Sequence, residues 1–345
     1  MSNTLRVGGA GRRPDASAAT EAPRKSPSPP RALLALAVAG VFFGASSEAG
    51  ERVLGGLEPY GEVAVTRFAD GGGTSTLEEF WYGDIGIRTR PFDAGGLKLG
   101  AYAGYEGFGT FREGYLDLGY STAALVIGSG PHEVSLGSPR SVVNDVVGKG
   151  ERIVSDLIFL ELNLIGDLSR YLRLLFGETA SDRLSLYGVR YDGRWSDTRI
   201  ITGAFTNSSL GPTVNTVALA ASRTIGDTEL RAAFEQVDIV GESALTSATI
   251  GATSVRGKVT FGIDASGVQA NTQETFGSVN LFANYQLREK LRIGSTYAVS
   301  FDEYDSLEVF TLGAEYSPTE ATFLRVTGTS PSDLELFELA FGLRF

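Results

Sequence analysis

Glu335-Leu336-Phe337-Glu338-Leu339-Ala340-Phe341-Gly342-Leu343-Arg344-Phe345 closes the chain. Glu335, Phe337, Leu339, Phe341, Leu343 and Phe345 share one side of an extended strand, and all but the first are apolar. Leu336, Glu338, Ala340, Gly342 and Arg344 take the other side, because successive strand side chains point to opposite faces. Strands of soluble sheets alternate too, but an apolar side that continues to the terminal residue suits contact with lipid.

The pattern recurs upstream. Leu97, Leu99, Ala101, Ala103 and Tyr105 alternate with Lys98, Gly100, Tyr102, Gly104 and Glu106. Val259, Phe261, Ile263 and Ala265 alternate with Thr260, Gly262, Asp264 and Ser266. Val279, Leu281, Ala283, Tyr285 and Leu287 oppose Ser278, Asn280, Asn284 and Gln286, with Phe282 as an inward exception. Leu291, Ile293, Tyr297, Val299 and Phe301 oppose Arg292, Gly294, Thr296, Ser300 and Asp302. A soluble sandwich would bury such apolar faces in one core, whereas a barrel turns them to lipid and wets the other side.

Very tight turns at Ile225-Gly226-Asp227, Arg256-Gly257, Arg288-Glu289-Lys290 and Pro318-Thr319-Glu320 alternate with more open polar links at 206–212, 269–274 and 302–306. Short periplasmic turns alternating with longer outer loops is the barrel rule. The reading places strands near 59–68, 78–90, 97–106, 113–128, 132–138, 183–192, 195–206 and 213–223. The rest fall near 228–240, 244–255, 258–268, 275–287, 290–302, 307–317, 321–329 and 333–345. The expected fold is therefore an all-β transmembrane antiparallel barrel of sixteen strands within residues 50–345, with both termini on the periplasmic side.

Composition agrees. No stretch past residue 50 holds about 18 uncharged apolar residues, which argues against a helical route into a membrane. The 44 glycines and 10% aromatic residues suit many strands joined by tight turns, with aromatic girdles at two interfaces. The absence of cysteine removes a disulfide framework and a thiolate metal site. A formal charge of −11 argues against nucleic acid, which favours a clustered basic face.

Ahead of the barrel, Arg31 precedes an apolar run from Ala32 to Gly44, and Ser47-Glu48-Ala49 stands before Gly50. A basic flank, a short apolar core and small residues at the end match a secretory signal peptide over residues 1–49. Its first region is unusually long, so either an extended signal or a start downstream of Met1 is expected. Removing residues 1–49 leaves 24 basic against 38 acidic residues, a formal charge of −14.

One connection breaks the rhythm, at 141–181. A link this long is usually functional or disordered, and Ile153 to Ile165 and Leu168 to Phe176 are too apolar for disorder. Leu168, Tyr171, Leu172 and Leu175 follow helical spacing and suit a segment folded into the lumen. Leu160, Leu162 and Leu164 alternate with Glu161 and Asn163, which suits further wall strands at 156–165 and 169–177 and a total of eighteen.

Enzymatic and cofactor readings find little. His132, the only histidine, sits beside Pro131 at an expected periplasmic hairpin, where a turn residue is the ordinary role and a general base lacks a substrate proton within reach. Gly71-Gly72-Gly73 precedes a strand rather than a helix, so it is a loop and not a phosphate cradle. No calcium loop or His/Cys ligand spacing is present, and no cofactor is expected.

Ala123-Ala124-Leu125-Val126-Ile127-Gly128 followed by Glu133-Val134-Ser135-Leu136-Gly137-Ser138-Pro139-Arg140-Ser141 resembles the hairpin that precedes the constriction loop of general Gram-negative porins, those of alphaproteobacterial type in particular. Val189-Arg190-Tyr191-Asp192 is similar to the strand after that loop. Phe345 resembles the family's signal for insertion by the barrel-assembly machinery. The resemblance implies a homotrimer in the cell outer membrane that passes small hydrophilic solutes and has no catalytic site. It also implies a third outer loop folded inward, with acids facing basic residues on the opposite wall. By alternation the wall bases would be Arg88, Lys98, Arg190, Arg231 and Arg292, and the loop acids Asp145, Glu151, Asp156 and Glu161. The sequence departs from the family in its more apolar insertion, which lacks the usual Pro-Glu-Phe-Gly stretch, and in several very short outer loops. A non-conducting barrel, plugged by that insertion, is the competing expectation.

Overall fold

The computed structural model describes residues 57–70, 78–89, 91–110, 117–147, 167–168, 186–207, 213–240, 244–270, 275–301, 306–331 and 336–344. The signal-peptide reading of 1–49 and the terminal Phe345 lie outside the described residues.

Strands β1 (Leu57–Asp70), β2 (Glu78–Thr89), β3 (Phe92–Ala94), β4 (Leu97–Thr110), β5 (Asp117–Ser129) and β6 (His132–Ser138) precede a short helix α1 (Asn144–Val147). After the insertion come β7 (Tyr187–Trp195), β8 (Thr198–Asn207), β9 (Val214–Ile225), β10 (Thr228–Ile239), β11 (Leu245–Arg256) and β12 (Val259–Ala270). The wall ends with β13 (Thr275–Arg288), β14 (Leu291–Phe301), β15 (Ser306–Thr319), β16 (Thr322–Pro331) and β17 (Leu336–Arg344). Neighbours pair antiparallel throughout, and β1 pairs with both β2 and β17. The sheet therefore closes on itself and leaves no open edge, the only way a sheet can satisfy its backbone in lipid.

β2 and β3 lie along the same edge of β4, with Arg88 opposite Tyr102 and Phe92 opposite Leu99. The pairing slips by one residue between them, so they form one bulged stave and the barrel has sixteen. The link left between the strands expected at 78–90 and 97–106 is thus shorter, confined to Gly95-Gly96, with Phe92–Ala94 still in the wall. β6 pairs directly with β7, His132 opposite Gly193 and Gly137 opposite Gly188. That ladder leaves no place for extra staves between them, which excludes the eighteen-stranded arrangement. The strand expected at 183–192 runs instead from Tyr187 to Trp195.

Directly opposed residues in an antiparallel ladder share a face, so the two faces can be followed around the wall. Outside lie Leu125, Val217, Ile250, Leu312, Phe337, Leu339 and Phe341, all exposed. Most outward aromatics fall in two bands, with Phe234 between them at the middle of β10. Phe92, Trp195, Phe261, Tyr285, Tyr316 and Phe341 lie near the tight turns, and Tyr187, Phe276, Phe301 and Phe337 near the opposite end. Two aromatic girdles around an apolar belt are the signature of a wall that crosses a bilayer.

Inside lie Thr216, Ser278, Thr311 and Thr327, with 0–1% of their surface exposed, and Phe282 is the inward exception its sequence position suggested. The lining of β13 to β16 is mostly polar yet as buried as a soluble core.

One outer sector differs from the rest. Val65 lies opposite both Phe341 and Trp81, which puts Trp81 on the outside, yet Trp81 is buried. Its ring stacks on Tyr105 with centroids 6.5 Å apart. Both rings lie over Gly107, where an added Cβ would come within 2.7 Å of each. Gly61 on the adjoining β1 has φ +127°, and a Cβ there would meet the Asp84 carbonyl oxygen at 1.9 Å. Only glycine permits that conformation and approach.

Candidate functional site

The insertion enters the lumen at once. Val142, Val143, Val146 and Val147 form one buried cluster with Ile201, Phe205, Ala218, Ala220, Ala233 and Val237, which are inward positions of β8, β9 and β10. Leu168 and Leu186 join the same cluster. Ser141 Oγ donates to Asp167 at 2.6 Å and receives the Asn144 N–H at 3.4 Å, tying the two described parts of the insertion together. The described apolar residues of the segment thus cover an apolar stretch of inner wall, where burial is favourable by about 25 cal/mol per Å². The segments at 156–165 and 169–177 lie outside the described residues, as do Glu151, Asp156 and Glu161.

Beside this apolar seat the first limb is held by charge. The Arg140 guanidinium pairs with Asp84 of β2 and lies over the Tyr60 ring, 5.2 Å from its centroid. The Arg140 backbone N–H donates to the Tyr102 hydroxyl at 3.1 Å. Burial pulls the Arg140 pKa down, but the Asp84 and Asp145 carboxylates more than offset this and hold it above the ordinary arginine value. Asp145, in the first turn of α1, pairs with Arg190 of β7 and lies 3.6 Å from Arg199 of β8. Arg199 also pairs with Asp192, which Arg194 reaches at 3.1 Å. Tyr60 itself lies flat across Gly86 and Gly104, where an added Cβ would meet its ring or hydroxyl at 2.4 and 2.8 Å.

A second network sits on the far side of the wall. Glu315, 1% exposed, accepts from Arg292 at 2.6 Å, from Arg325 at 3.2 Å and from Arg344 at 3.1 Å. Arg344 also reaches Glu62 at 2.8 Å. The buried Phe323 ring lies against two of these guanidinium groups, 4.2 Å from Arg344 and 5.0 Å from Arg325. Five consecutive staves, from β14 through β17 to β1, are joined across the seam where the barrel closes.

The residues expected to line a constriction are placed as follows. Arg190 and Asp145 meet directly. Arg190 belongs to the strand beside the insertion, however, not to the opposite wall. Arg231 pairs with Asp264 at 3.1 Å and donates to Thr253 at 2.7 Å, and the described partner of Arg292 is Glu315. Both therefore meet carboxylates of the wall itself. Arg88 pairs with Glu58 at 3.0 Å near the turn end, both exposed, and Lys98 is exposed on the same inner rim. His132 faces outward in the turn-side girdle, Nδ1 2.7 Å from the Tyr191 hydroxyl and edge-on to Trp195.

Asp84, Arg140, Asp192, Arg199, Glu315, Arg325 and Arg344 carry the networks but were not singled out as site residues. Strand parity signals that Asp192 and Arg344 face inward. No local signal tells which of the barrel's many inward charges will meet.

Between the first network and the tight turns lies a cavity of about 660 Å³, lined by β1, β2, β4 to β8 and the start of the insertion. It is polar, charged and open toward the turns.

No protein-family profile matches the chain, and no curated relative does. Solved structures do match in three dimensions. OmpT, an outer membrane protein of Vibrio cholerae in its trimer form, aligns with TM-score 0.59 at 12% identity, over 84% of this chain and 99% of that one. A triple mutant of Rhodopseudomonas blastica porin aligns with TM-score 0.59 at 14% identity, over 84% of this chain and all of that one. A second mutant of that porin gives TM-score 0.57 at 15% identity, over 84% of this chain and 100% of its own length. Identities this low establish shared architecture alone: the chain has the sixteen-stranded barrel fold found in outer-membrane porins.

Proposed function

We propose that the chain is an outer-membrane porin, a passive diffusion channel for small hydrophilic solutes and ions. The observation that carries this is a closed wall, apolar between two aromatic girdles outside, charged and polar inside, with an insertion entering its lumen. The signal peptide at 1–49 would deliver the chain to the periplasm, and Phe345 would present it to the assembly machinery. Selectivity would come from the acids of the insertion, Asp145 with Glu151, Asp156 and Glu161, acting with the basic wall residues Arg88, Lys98, Arg190, Arg231 and Arg292. Such opposed charges select ions without making bonds, and no catalytic role is assigned. Purified protein in a planar bilayer is expected to give stepwise, long-lived conductance. Silence under conditions where a known porin inserts would overturn the reading.

The buried lining of β9 and β13 to β16 favours a second reading, a plugged barrel with a structural or binding role. Solute swelling of proteoliposomes separates the two. A porin swells them as it stands, whereas a plugged barrel swells them only after residues 150–175 are deleted.

The oligomer we infer is a homotrimer joined through the outer sector of β1, β2 and β4, where Trp81 and Tyr105 lie flat over glycine and leave a low, apolar surface. Light scattering in detergent is expected to show a trimeric mass for the native chain and a monomeric one for Gly107→Trp. An unchanged mass in the variant removes this face from the interface.

A further inference from the structure

The cavity at the turn end does more than continue the lumen. Its floor is a strip of small residues, Gly100 on β4, Gly128 on β5 and Ser135 on β6. Lys98 lies opposite Gly128, Gly128 opposite Glu133, and Glu133 opposite Asp192, so one row along the floor crosses four neighbouring strands. At about 4.8 Å per strand, its two ends stand about 14 Å apart along the wall.

Cations stand at both ends. Arg88 and Lys98 edge one side, Arg194 and Arg199 the other, and Arg140 with Arg190 close the inner end. Six basic groups therefore line the space against four carboxylates, in a chain whose overall charge is −11. Most of those carboxylates are already engaged: Glu58 by Arg88, Asp145 by Arg190, and Asp192 by Arg199 and Arg194. Glu133 lies in the electrostatic field of Arg199. Among the described residues Lys98 makes no ion pair, and Arg194 shares its carboxylate with Arg199 while its own side chain is 64% exposed. The cavity's volume of about 660 Å³ lies within the usual range for a small-molecule site, roughly 300–1,000 Å³.

We propose that this bay is a binding site for small organic anions, held between Lys98 at one end and Arg194 at the other. Carboxylate and phosphate groups share the chemistry that an ammonium and a guanidinium recognise, a compact negative charge with several acceptor oxygens. A dianion of a few carbons is shorter than the floor, so the long Lys98 and Arg194 side chains must lean inward from the two ends to hold it. The bay then concentrates such solutes on the periplasmic side of the insertion. This use of the site in transport rests on the pore reading, while the site itself does not.

Titration calorimetry on the folded protein in detergent, at low ionic strength, tests the site without requiring conduction. Inorganic phosphate, succinate, the zwitterion alanine and neutral glycerol are the probes. Phosphate, succinate or both are expected to bind, and the stronger of the two names the anion source. The double variant Lys98→Gln, Arg194→Gln should weaken that binding by about tenfold or more. Lys258→Gln, on the tight turn between β11 and β12 and outside the lining of the bay, should leave it unchanged, with unaltered gel mobility of the heated and unheated variants as the check on folding. The proposal is overturned if neither anion binds, if alanine or glycerol binds equally well, or if the double variant binds like the parent. A protein that binds the anions but carries no current keeps the site and loses the pore.

Discussion

Glu315→Ala is expected to be among the most damaging single substitutions in this barrel. Glu315 is 1% exposed and is the shared acceptor for Arg292, Arg325 and Arg344. Removing it takes the shared acceptor from three guanidinium groups, two of them against the buried Phe323, with Glu62 serving Arg344 alone among the described pairs. Breaking a buried ion pair by deleting one partner costs about 3–5 kcal/mol, since the remaining charge has left water and lost the carboxylate that offset this. Glu58→Ala is the built-in comparison. It also removes a carboxylate from an arginine, but the Glu58–Arg88 pair is exposed, and such pairs contribute about 0–1 kcal/mol. Urea titration of the refolded barrel, followed by the fluorescence of its two tryptophans, measures both. Equal midpoints for the two variants would show that the Glu315 network does not hold the closing seam.

Leu312→Arg should cost nearly as much, for an unrelated reason. Leu312 lies mid-strand on the outer face of β15, 60% exposed and opposite Ser295 and Gly328. In water an exposed leucine exchanges for arginine almost freely. At the middle of a bilayer the same change costs about 2–4 kcal/mol, falling to roughly 0–1 near the interface. Ile225→Arg supplies the shallow end of the scale, because Ile225 is 56% exposed on the same face but ends β9 at a tight turn. Folding into liposomes should therefore be weakened strongly by Leu312→Arg and little by Ile225→Arg. If both are neutral, the apolar belt does not face lipid.

These predictions draw on different levels of the molecule, and the levels were not equally legible. Strand positions could be read closely: the expected segments at 132–138, 228–240 and 275–287 correspond to His132–Ser138, Thr228–Ile239 and Thr275–Arg288. A period of two is local, and each wall strand must repeat it because one face meets an apolar medium and the other a polar one. Where the reading slipped, the cause was equally local. Phe92–Ala94 looks like part of a turn because it follows Arg90-Pro91, yet a bulge lets the stave continue past the proline.

Pairing between charges was not legible in that way. Parity shows that Arg190, Arg231 and Arg292 face inward, and it shows the same of Asp192, Asp264 and Glu315. Which acid meets which base depends on how far each side chain lies along the barrel axis and on which staves are neighbours around it. Arg344 meets Glu62 at 2.8 Å although 282 positions separate them, because closure makes β17 and β1 adjacent. Arg140 meets Asp84 because the start of the insertion lies inside the barrel, where β2 also faces it.

The sequence by itself determined that this chain has a two-faced wall of sixteen strands, where its turns fall, and that one long apolar segment interrupts it. All of these follow from alternation and turn chemistry within about a dozen residues. Only the tertiary structure decided that Val142, Val143, Val146 and Val147 cover the inner face of β8 to β10, that Glu315 gathers three arginines at the seam, and that a cation-rimmed bay opens beside the turns. Each depends on closing the barrel, which brings distant inward side chains within a few ångströms and takes them out of water together.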